Sequence, residues 1–448
     1  MNKTTLFSYF NTALRWNAAF YGFYKITSAG LTFFLFKFLP SSWFSCWATG
    51  NSLIFLFLLW IDCGFKKSIP RFCPLYLGIN YHRQFITKVI VLRCAALLMS
   101  TPVVWFCMKS WWGHPESVHW IMFLFFSQGM ATIFELLYHA HFWQREYAIM
   151  QTGSLLFEIA CNLILLSTTE GNMNVVQGLF INKAMSSVIL IIFSSLLLPT
   201  LYKKTTLVCV QNKEEKKQLK RSFIRYSLFM WWSTTIKSLS ERNFLVPFFT
   251  VVLGPPIANT FKVANDAALI FQRTVLRTIG IADMSLLSYA MLNDTPQQLI
   301  QAFTHLMRTL ILLIFPLATA TILLIKRFHT LATNELVFLF GIIISGYMLE
   351  MLLSPYERLL EVQFKFRELF KAYLPYVVGY ALLLFIVMYH ALINLVIFMF
   401  VTQALRLLSS LLMCWYEYDF QNNPFPKALL YKVAGICLFV IGATWYFL

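Results

Sequence analysis

Apolar runs of about 20 residues recur along the whole of this chain and limit what it can fold into. As an α-helix, a run of this length crosses the hydrocarbon core of a bilayer. In lipid only helices and closed barrels satisfy their backbone hydrogen bonds, and the runs are continuous rather than alternating, which excludes a barrel. Charged residues make up only 12% of the chain, against about 25% in soluble proteins. The sequence therefore predicts an all-α, polytopic membrane protein.

The basic residues between the apolar runs indicate how the chain is oriented. We place spans near 17–38, 44–64, 86–109, 117–138, 146–167, 177–201, 226–251, 258–280, 300–324, 331–353, 369–388, 391–414 and 430–447, which gives between 12 and 14 transmembrane helices. The loops after the second, sixth and tenth spans are rich in lysine and arginine, and the intervening loops hold few cations. Because basic loops stay in the cytoplasm, the N-terminus is predicted to be cytoplasmic. The net charge of +17 reflects this pattern rather than binding to nucleic acid.

An internal repeat divides the chain into two similar halves. A shift of 214 or 215 residues superimposes five pairs of unusual residues: Asn51 on Asn265, Arg93 on Arg308, Pro102 on Pro316, Glu135 on Glu350 and Glu146 on Glu361. The period covers six spans, an even number, so the halves are parallel repeats. The predicted domains are an N-terminal six-helix bundle (1–201), a basic cytoplasmic linker (202–225), a C-terminal six-helix bundle (226–414) and an additional helix (415–448). Two such bundles enclose a central cavity, and rocking them gives alternating access.

Charges within spans are costly in lipid and mark candidate functional sites. Cations are concentrated in the first, seventh and eighth spans, which open the two halves and are predicted to line the cavity. The candidate substrate-binding cations are Lys25, Lys237, Arg242, Lys262 and Arg273. A low-dielectric cleft with cations attracts anions, and arginine and lysine suit pyrophosphate oxygens. We therefore expect an anionic, phosphate-bearing substrate with a lipidic part.

Three intramembrane carboxylates are candidates for binding a coupling ion, H⁺ or Na⁺: Glu135, Asp266 and Glu350. Glu135 and Glu350 occupy equivalent places in the halves, and pairing with the arginines of the repeat is the alternative role. Two pairs of opposite charge are four residues apart and could join on one helical face: Lys237 with Glu241 and Lys262 with Asp266.

Four further charges are given structural roles. Arg93 and Arg308 precede prolines and are predicted to cap the carbonyls that a mid-helix proline frees. Asp62 and Arg406 lie near the ends of predicted spans and are predicted to reach out to the interface.

The sequence lacks the motifs of an enzyme or an ATPase. It contains no HExxH, GxSxG, GxGxxG or phosphate-cradling GK[ST], so no enzymatic activity and no cofactor are predicted. The nine cysteines are scattered, and the histidines near span ends do not cluster with other ligands, so no metal site is predicted.

Two stretches resemble the polysaccharide-biosynthesis flippases, which are O-antigen and lipid-linked oligosaccharide exporters of the MOP superfamily with a MATE-like fold. In residues 33–78 a span ends at a turn with Pro40, the next ends in Asp62-x-Gly64, and a basic stretch follows. Residues 354–380 resemble the loop between the tenth and eleventh spans of that family.

The resemblance implies a function. Such proteins flip undecaprenyl-pyrophosphate-linked oligosaccharides from the inner to the outer leaflet of a bacterial inner membrane for surface polysaccharide synthesis. Expected partners are membrane lipids, a polysaccharide polymerase and glycosyltransferases. In the related lipid II flippases, cavity arginines come from the first, second and eighth spans. This chain has Lys25 in the first and Lys262 and Arg273 in the eighth, but Asn51 and Ser52 in the second.

Three alternatives remain open. A multidrug exporter of the same superfamily binds cationic drugs and should have an acidic cavity, against which the basic surplus argues. A major facilitator transporter also has two six-span halves, but Leu58 stands where its first loop motif requires glycine. A membrane scaffold that docks glycosyltransferases without transport is the third.

Overall fold

The computed structural model describes most of the chain. The described part comprises residues 23–24, 26–78, 82–111, 117–140, 144–168, 174–203, 213–239, 241–280, 287, 303–310, 312, 334–363, 365–390 and 395–421. The predicted span at 430–447, most of that at 300–324, and Lys25 lie outside it.

Every regular element in the described residues is a helix. The helices are α1 (Ile26–Phe38), α2 (Ser41–Trp60), α3 (Phe65–Gly78), α4 (His82–Trp111), α5 (Val118–Ala140), α6 (Gln144–Thr168), α7 (Asn174–Lys203), α8 (Lys213–Ser238), α9 (Arg242–Val252), α10 (Pro255–Gly280), α11 (Asn334–Val362), α12 (Phe366–His390) and α13 (Leu395–Gln421). Residues 303–310 are also helical. The prediction of an all-α protein is confirmed.

Six of these helices contain a segment long and apolar enough to cross a membrane. The segments are Ser41–Trp60, Gln84–Lys109, Val118–Tyr138, Arg145–Thr168, Val175–Leu196 and Phe366–Tyr389, and α1 and α13 add shorter apolar stretches. Large apolar side chains such as Met99 and Leu196 are exposed, as lipid-facing residues are. The chain is a multi-pass membrane protein.

The predicted seventh span is not one helix. Helix α8 ends at Ser238 and α9 begins at Arg242, so a break separates Lys237 from Glu241. The expectation that these two residues share one helical face is therefore wrong, because the helix ends between them. Helix α3 also differs from the prediction, which treated residues 65–78 as a loop.

By compactness the chain divides into two units. The first unit is Gly30–Val251 and the second is Met1–Ala29 with Val252–Leu448. In the first unit α7 packs against α5 and α6, and in the second α13 packs against α11 and α12. The same packing order therefore recurs in the two units.

The register of the repeat holds in some helices and not in others. Asn51 and Asn265 are each the eleventh residue of their helices, α2 and α10, and both are buried. Glu146 lies in the first turn of α6, whereas Glu361 is the penultimate residue of α11. The predicted match of Glu146 with Glu361 is therefore wrong, because the second half carries extra residues before α12.

Candidate functional site

The predicted cavity cations occupy three helices. Lys237 is half-buried at the end of α8, Arg242 is the first residue of α9, and Arg273 lies in the C-terminal half of α10. For Arg242 and Arg273 the backbone is described and the side chain is not, so their role as substrate-binding residues stays a prediction.

Lys262 forms an ion pair within α10. Its Nζ lies 3.0 Å from Oδ2 of Asp266, and both side chains are buried. The two residues are four apart, so their side chains meet on one face of the helix. This confirms that Lys262 and Asp266 pair, and the pair adds no net charge to its surroundings.

A polar network links α10, α11 and α13 inside the second unit. Arg406 Nη1 lies 3.6 Å from Oε2 of Glu350, and its guanidinium carbon is 5.9 Å from the centroid of the Tyr347 ring. The Tyr347 hydroxyl donates a hydrogen bond of 2.8 Å to Oδ1 of Asn265. The asparagine of the repeat is thus joined to an arginine–glutamate pair through one tyrosine.

This network corrects two sequence-based interpretations. Arg406 was predicted to reach out to the interface, but its side chain is only 14% exposed and pairs with Glu350. The alternative role predicted for Glu350 was an ion pair with an arginine of the repeat. Arg308, the arginine of that half, is exposed, and Glu350 pairs with Arg406 instead. Both errors arise because α13 was placed by its apolar length alone, without knowledge of the face that Arg406 occupies.

Two buried amide atoms beside the network have no hydrogen-bond partner among the described residues. They are Nδ2 of Asn265 and Oε1 of Gln403. Leaving a buried donor or acceptor unsatisfied costs about 1–3 kcal/mol. A water molecule or a hydroxyl group can satisfy them.

We expect Glu350 and Arg406 to be coupled energetically. Glu350→Gln and Arg406→Gln should each lower stability by about 1–2 kcal/mol, because each leaves a partly buried charge without this partner. The double substitution should cost less than the sum of the two, by at least about 1 kcal/mol. Unfolding in a titration with sodium dodecyl sulfate measures the three values. Strict additivity would show that the pair is not formed.

In the first unit, Lys183 contacts Asn51, the other asparagine of the repeat. The sequence analysis did not include this lysine among the candidate site residues. Lys183 Nζ donates a hydrogen bond of 2.8 Å to Oδ1 of Asn51, and it lies 5.1 Å and 6.0 Å from the ring centroids of Phe55 and Trp47. Lys183 lies well inside the apolar segment Val175–Leu196, too far from either end to be an interfacial residue. Its position in the middle of a predicted span is the sequence feature that could have identified it as a candidate site residue.

Other polar residues lie on the same helices. Nδ2 of Asn182 donates a hydrogen bond of 2.9 Å to Oδ1 of Asn162, which joins α7 to α6. Glu158 of α6 interacts electrostatically with Lys183. Glu135 of α5 is half-buried, and its role as an ion-coupling residue stays a prediction.

The end of α2 is held by a second buried ion pair. Arg93 Nη1 lies 3.6 Å from Oδ1 of Asp62, and Nη2 donates a hydrogen bond of 3.2 Å to the carbonyl of Leu58. Oδ2 of Asp62 accepts a hydrogen bond of 2.9 Å from the backbone N–H of Lys66, at the start of α3. Arg93 therefore caps the Leu58 carbonyl of α2 rather than one near Pro102, and Asp62 is buried in an ion pair instead of reaching out to the headgroups.

The turn after α2 is fastened to α8. Gly64 has φ +75°, and a Cβ there would collide with the carbonyl oxygen of Ser227. Trp60 Nε1 donates a hydrogen bond of 3.0 Å to Oγ of Ser238, and Trp231 Nε1 donates one to the Trp60 carbonyl. The Asp-x-Gly sequence thus marks a left-handed turn that lies directly against a neighbouring helix.

Among the described residues, no group of three histidine, cysteine, aspartate or glutamate side chains could hold a metal ion.

Comparison with known proteins places the fold. No family model matches the sequence, and no curated protein is similar to it in sequence. Solved structures of transporters do match in fold. An outward-facing multidrug resistance MATE family transporter of the MOP superfamily matches with a TM-score of 0.65 and 12% identity, over 90% of this chain and 94% of its own.

Two further structures agree with this match. The eukaryotic MATE transporter AtDTX14 has a TM-score of 0.66 and 13% identity, over 97% of this chain and 98% of its own. A MOP superfamily transporter from Pyrococcus furiosus, whose binding pocket is described as having reverse polarity, has a TM-score of 0.64 and 11% identity, over 90% and 94%. The chain therefore has the fold of the MATE transporters of the MOP superfamily, as the sequence predicted.

Proposed function

We propose that this protein is an exporter that flips an undecaprenyl-pyrophosphate-linked oligosaccharide from the inner to the outer leaflet of a bacterial inner membrane. The observation that carries the proposal is the MOP-superfamily transporter fold, matched over 90% of the chain. Transporters built from two parallel repeats work by rocking the repeats around a substrate. Here the substrate is the precursor of a surface polysaccharide.

An anionic substrate is supported by charge. Lys25, Lys237, Arg242 and Arg273 lie in predicted spans and are the cations proposed to meet the pyrophosphate. Lys262 contributes less than the sequence suggested, because Asp266 neutralises it. The Pyrococcus furiosus transporter is described as having reverse pocket polarity, which suggests a different function for that protein, so this fold is compatible with more than one pocket polarity.

Energy for export is proposed to come from a coupling ion, H⁺ or Na⁺. Glu135, Asp266 and Glu350 are the carboxylates proposed for this role, and Asp266 and Glu350 each lie beside a cation. A polysaccharide polymerase and glycosyltransferases are the proposed protein partners, because they would consume and supply the flipped lipid.

A multidrug exporter is the second candidate, and three ion pairs among the described residues favour it. Lys262 pairs with Asp266, Arg406 with Glu350 and Arg93 with Asp62, so these three cations add no net charge. Solved structures with this fold include a multidrug resistance MATE family transporter in outward-facing and inward-facing conformations. An interior with balanced charge is compatible with an uncharged or cationic substrate as well.

Deletion of the gene should abolish surface polysaccharide and cause the lipid-linked precursor to accumulate in the inner leaflet. Complementation with Lys25→Ala, Arg242→Ala or Arg273→Ala should restore export about tenfold less well than the unaltered protein, since a hydrogen bond to a charged group contributes about 1.5–3 kcal/mol. The precursor is quantified by mass spectrometry of lipid extracts.

Lys109→Ala is the control, because Lys109 is an exposed cation at the end of α4 and should leave export unchanged. Full export by all three alanine variants would disprove the anion-binding role. Raised drug susceptibility after deletion, with surface polysaccharide intact, would favour the multidrug exporter instead.

A further inference from the structure

An aromatic cluster joins three helices of the first unit. The ring of Phe223 in α8 contacts Phe65 and Phe72 of α3 and Phe85 of α4, with centroid distances of 6.2, 5.4 and 5.3 Å. Tyr226 lies 5.7 Å from Phe72 and 4.6 Å from the guanidinium carbon of the buried Arg71. The N-terminal part of α4, the polar half of α8 and the whole of α3 are therefore held in a fixed arrangement.

Helix α3 is too short to cross a membrane. Its 14 residues would extend about 21 Å, shorter than the hydrocarbon core of about 30 Å. It connects the apolar segments Ser41–Trp60 and Gln84–Lys109, so it lies where α2 ends and α4 begins. The aromatic cluster brings the N-terminal half of α8 to the same level.

Exposed cations lie on the same three helices that the cluster joins. We name them the basic platform, and they are Lys66, Lys88, Lys217, Lys220, Arg221 and Arg225. Because they lie on packed helices, their backbone positions are defined, unlike those of cations in a basic loop.

On two helices, exposed apolar side chains follow directly after the cations of the basic platform. Along α8, Arg221 and Arg225 are followed on the same face by exposed Leu228 and Trp232, at intervals of three or four residues. Along α4, exposed Lys88 is followed by exposed Val91 and Leu92, again three and four residues on. This order of cation, then aromatic or aliphatic side chain, matches a lipid whose headgroup lies at the cations and whose acyl chain follows the apolar face.

We propose that the basic platform binds the phosphate headgroups of anionic phospholipids in the adjacent leaflet. A membrane lipid is the occupant that fits, because the cations border a lipid-facing apolar surface rather than a soluble one. Each cation near an anionic surface raises the binding constant roughly fivefold. The attraction falls off within a Debye length, which becomes shorter as the salt concentration is raised. The proposal is independent of the transported substrate.

The test uses the full-length protein, delipidated in a non-ionic detergent and titrated with dioleoylphosphatidylglycerol or dioleoylphosphatidylcholine. Native mass spectrometry counts the bound lipids, and the melting temperature gives a second readout. The unaltered protein should bind the phosphatidylglycerol at least about tenfold more tightly than the phosphatidylcholine. The triple substitution Lys88→Gln, Arg221→Gln and Arg225→Gln should remove this preference and leave phosphatidylcholine binding unchanged.

A matched control lies on the same helix. Lys109 is an exposed cation at the opposite end of the α4 apolar segment, so Lys109→Gln should keep the preference, whereas Lys88→Gln should weaken it about fivefold. This pair decides the question even if the triple variant does not fold. The proposal fails if Lys88→Gln and Lys109→Gln act equally, or if the triple variant keeps its preference. It also fails if inorganic pyrophosphate stabilises the unaltered protein as well as the lipid does and the triple variant loses this effect, since the platform would then recognise free phosphate.

Discussion

Replacing Gly64 with alanine is expected to lower the free energy of unfolding by about 2 to 5 kcal/mol. The φ of +75° places Gly64 in the left-handed region, which costs an L-residue about 1–2 kcal/mol. The new Cβ would also collide with the carbonyl oxygen of Ser227 and lie 2.8 Å from the backbone nitrogen of Trp231. Both neighbours are backbone atoms of α8, so the helix itself must move to relieve the contact.

The control for this substitution is Gly153→Ala in α6. A Cβ at Gly153 meets nothing within 4 Å, and its backbone is helical. This change should be neutral or stabilising by about 0.5–1 kcal/mol, because alanine favours a helix more than glycine does. Unfolding in a dodecyl sulfate titration, followed by tryptophan fluorescence, gives both values. Equal stability of Gly64→Ala and the unaltered protein would mean that α8 does not pack on this turn.

Substitution of Arg93 by methionine should lower the stability by about 3–5 kcal/mol, the second large effect. The buried carboxylate of Asp62 would lose the guanidinium that lies 3.6 Å away, and the carbonyl of Leu58 would lose its donor. Removal of one partner of a buried pair leaves an uncompensated charge, which is why the loss exceeds the value of the pair itself. Asp62→Asn added to Arg93→Met should recover part of the loss.

Arg308 provides the comparison, because it is the residue that aligns with Arg93 in the second half of the repeat. Its side chain is exposed, so Arg308→Met should change stability by less than about 0.5 kcal/mol. The same unfolding titration measures all of these variants. A loss at Arg308 as large as that at Arg93 would show that the two arginines share one structural role, contrary to the contacts of Arg93.

The sequence predicted the helices well where length and apolarity decide them. Segments such as 86–109 and 117–138 coincide closely with α4 and α5, because about 20 apolar residues have few alternatives in lipid. The break between Ser238 and Arg242 was missed because it contains no glycine or proline to signal it. Helix α3 was missed because it is too short to span and its apolar side is interrupted by cations.

Charge partners were harder to predict than helices. Lys262 and Asp266 were paired correctly because spacing along one helix is enough to bring them together. Asp62 and Arg93 are 31 residues apart, and Glu350 and Arg406 are 56 apart, so each pair depends on which faces of two helices meet. Lys183 was left aside for the same reason, since nothing local indicates that it reaches Asn51 on another helix.

The two kinds of ion pair have different consequences when the chain is synthesised into a membrane. Helix α10 carries both Lys262 and Asp266, so these two charges can already neutralise each other when the helix enters the bilayer. Helix α11 instead carries Glu350 without its partner until Arg406 arrives on α13, and an unpaired charge in an apolar helix raises the free energy of insertion. Correct insertion of α11 is therefore coupled to synthesis of the next 56 residues, from 350 to 406. A ribosome that stalls between these positions should leave α11 as the segment most exposed to quality-control proteases.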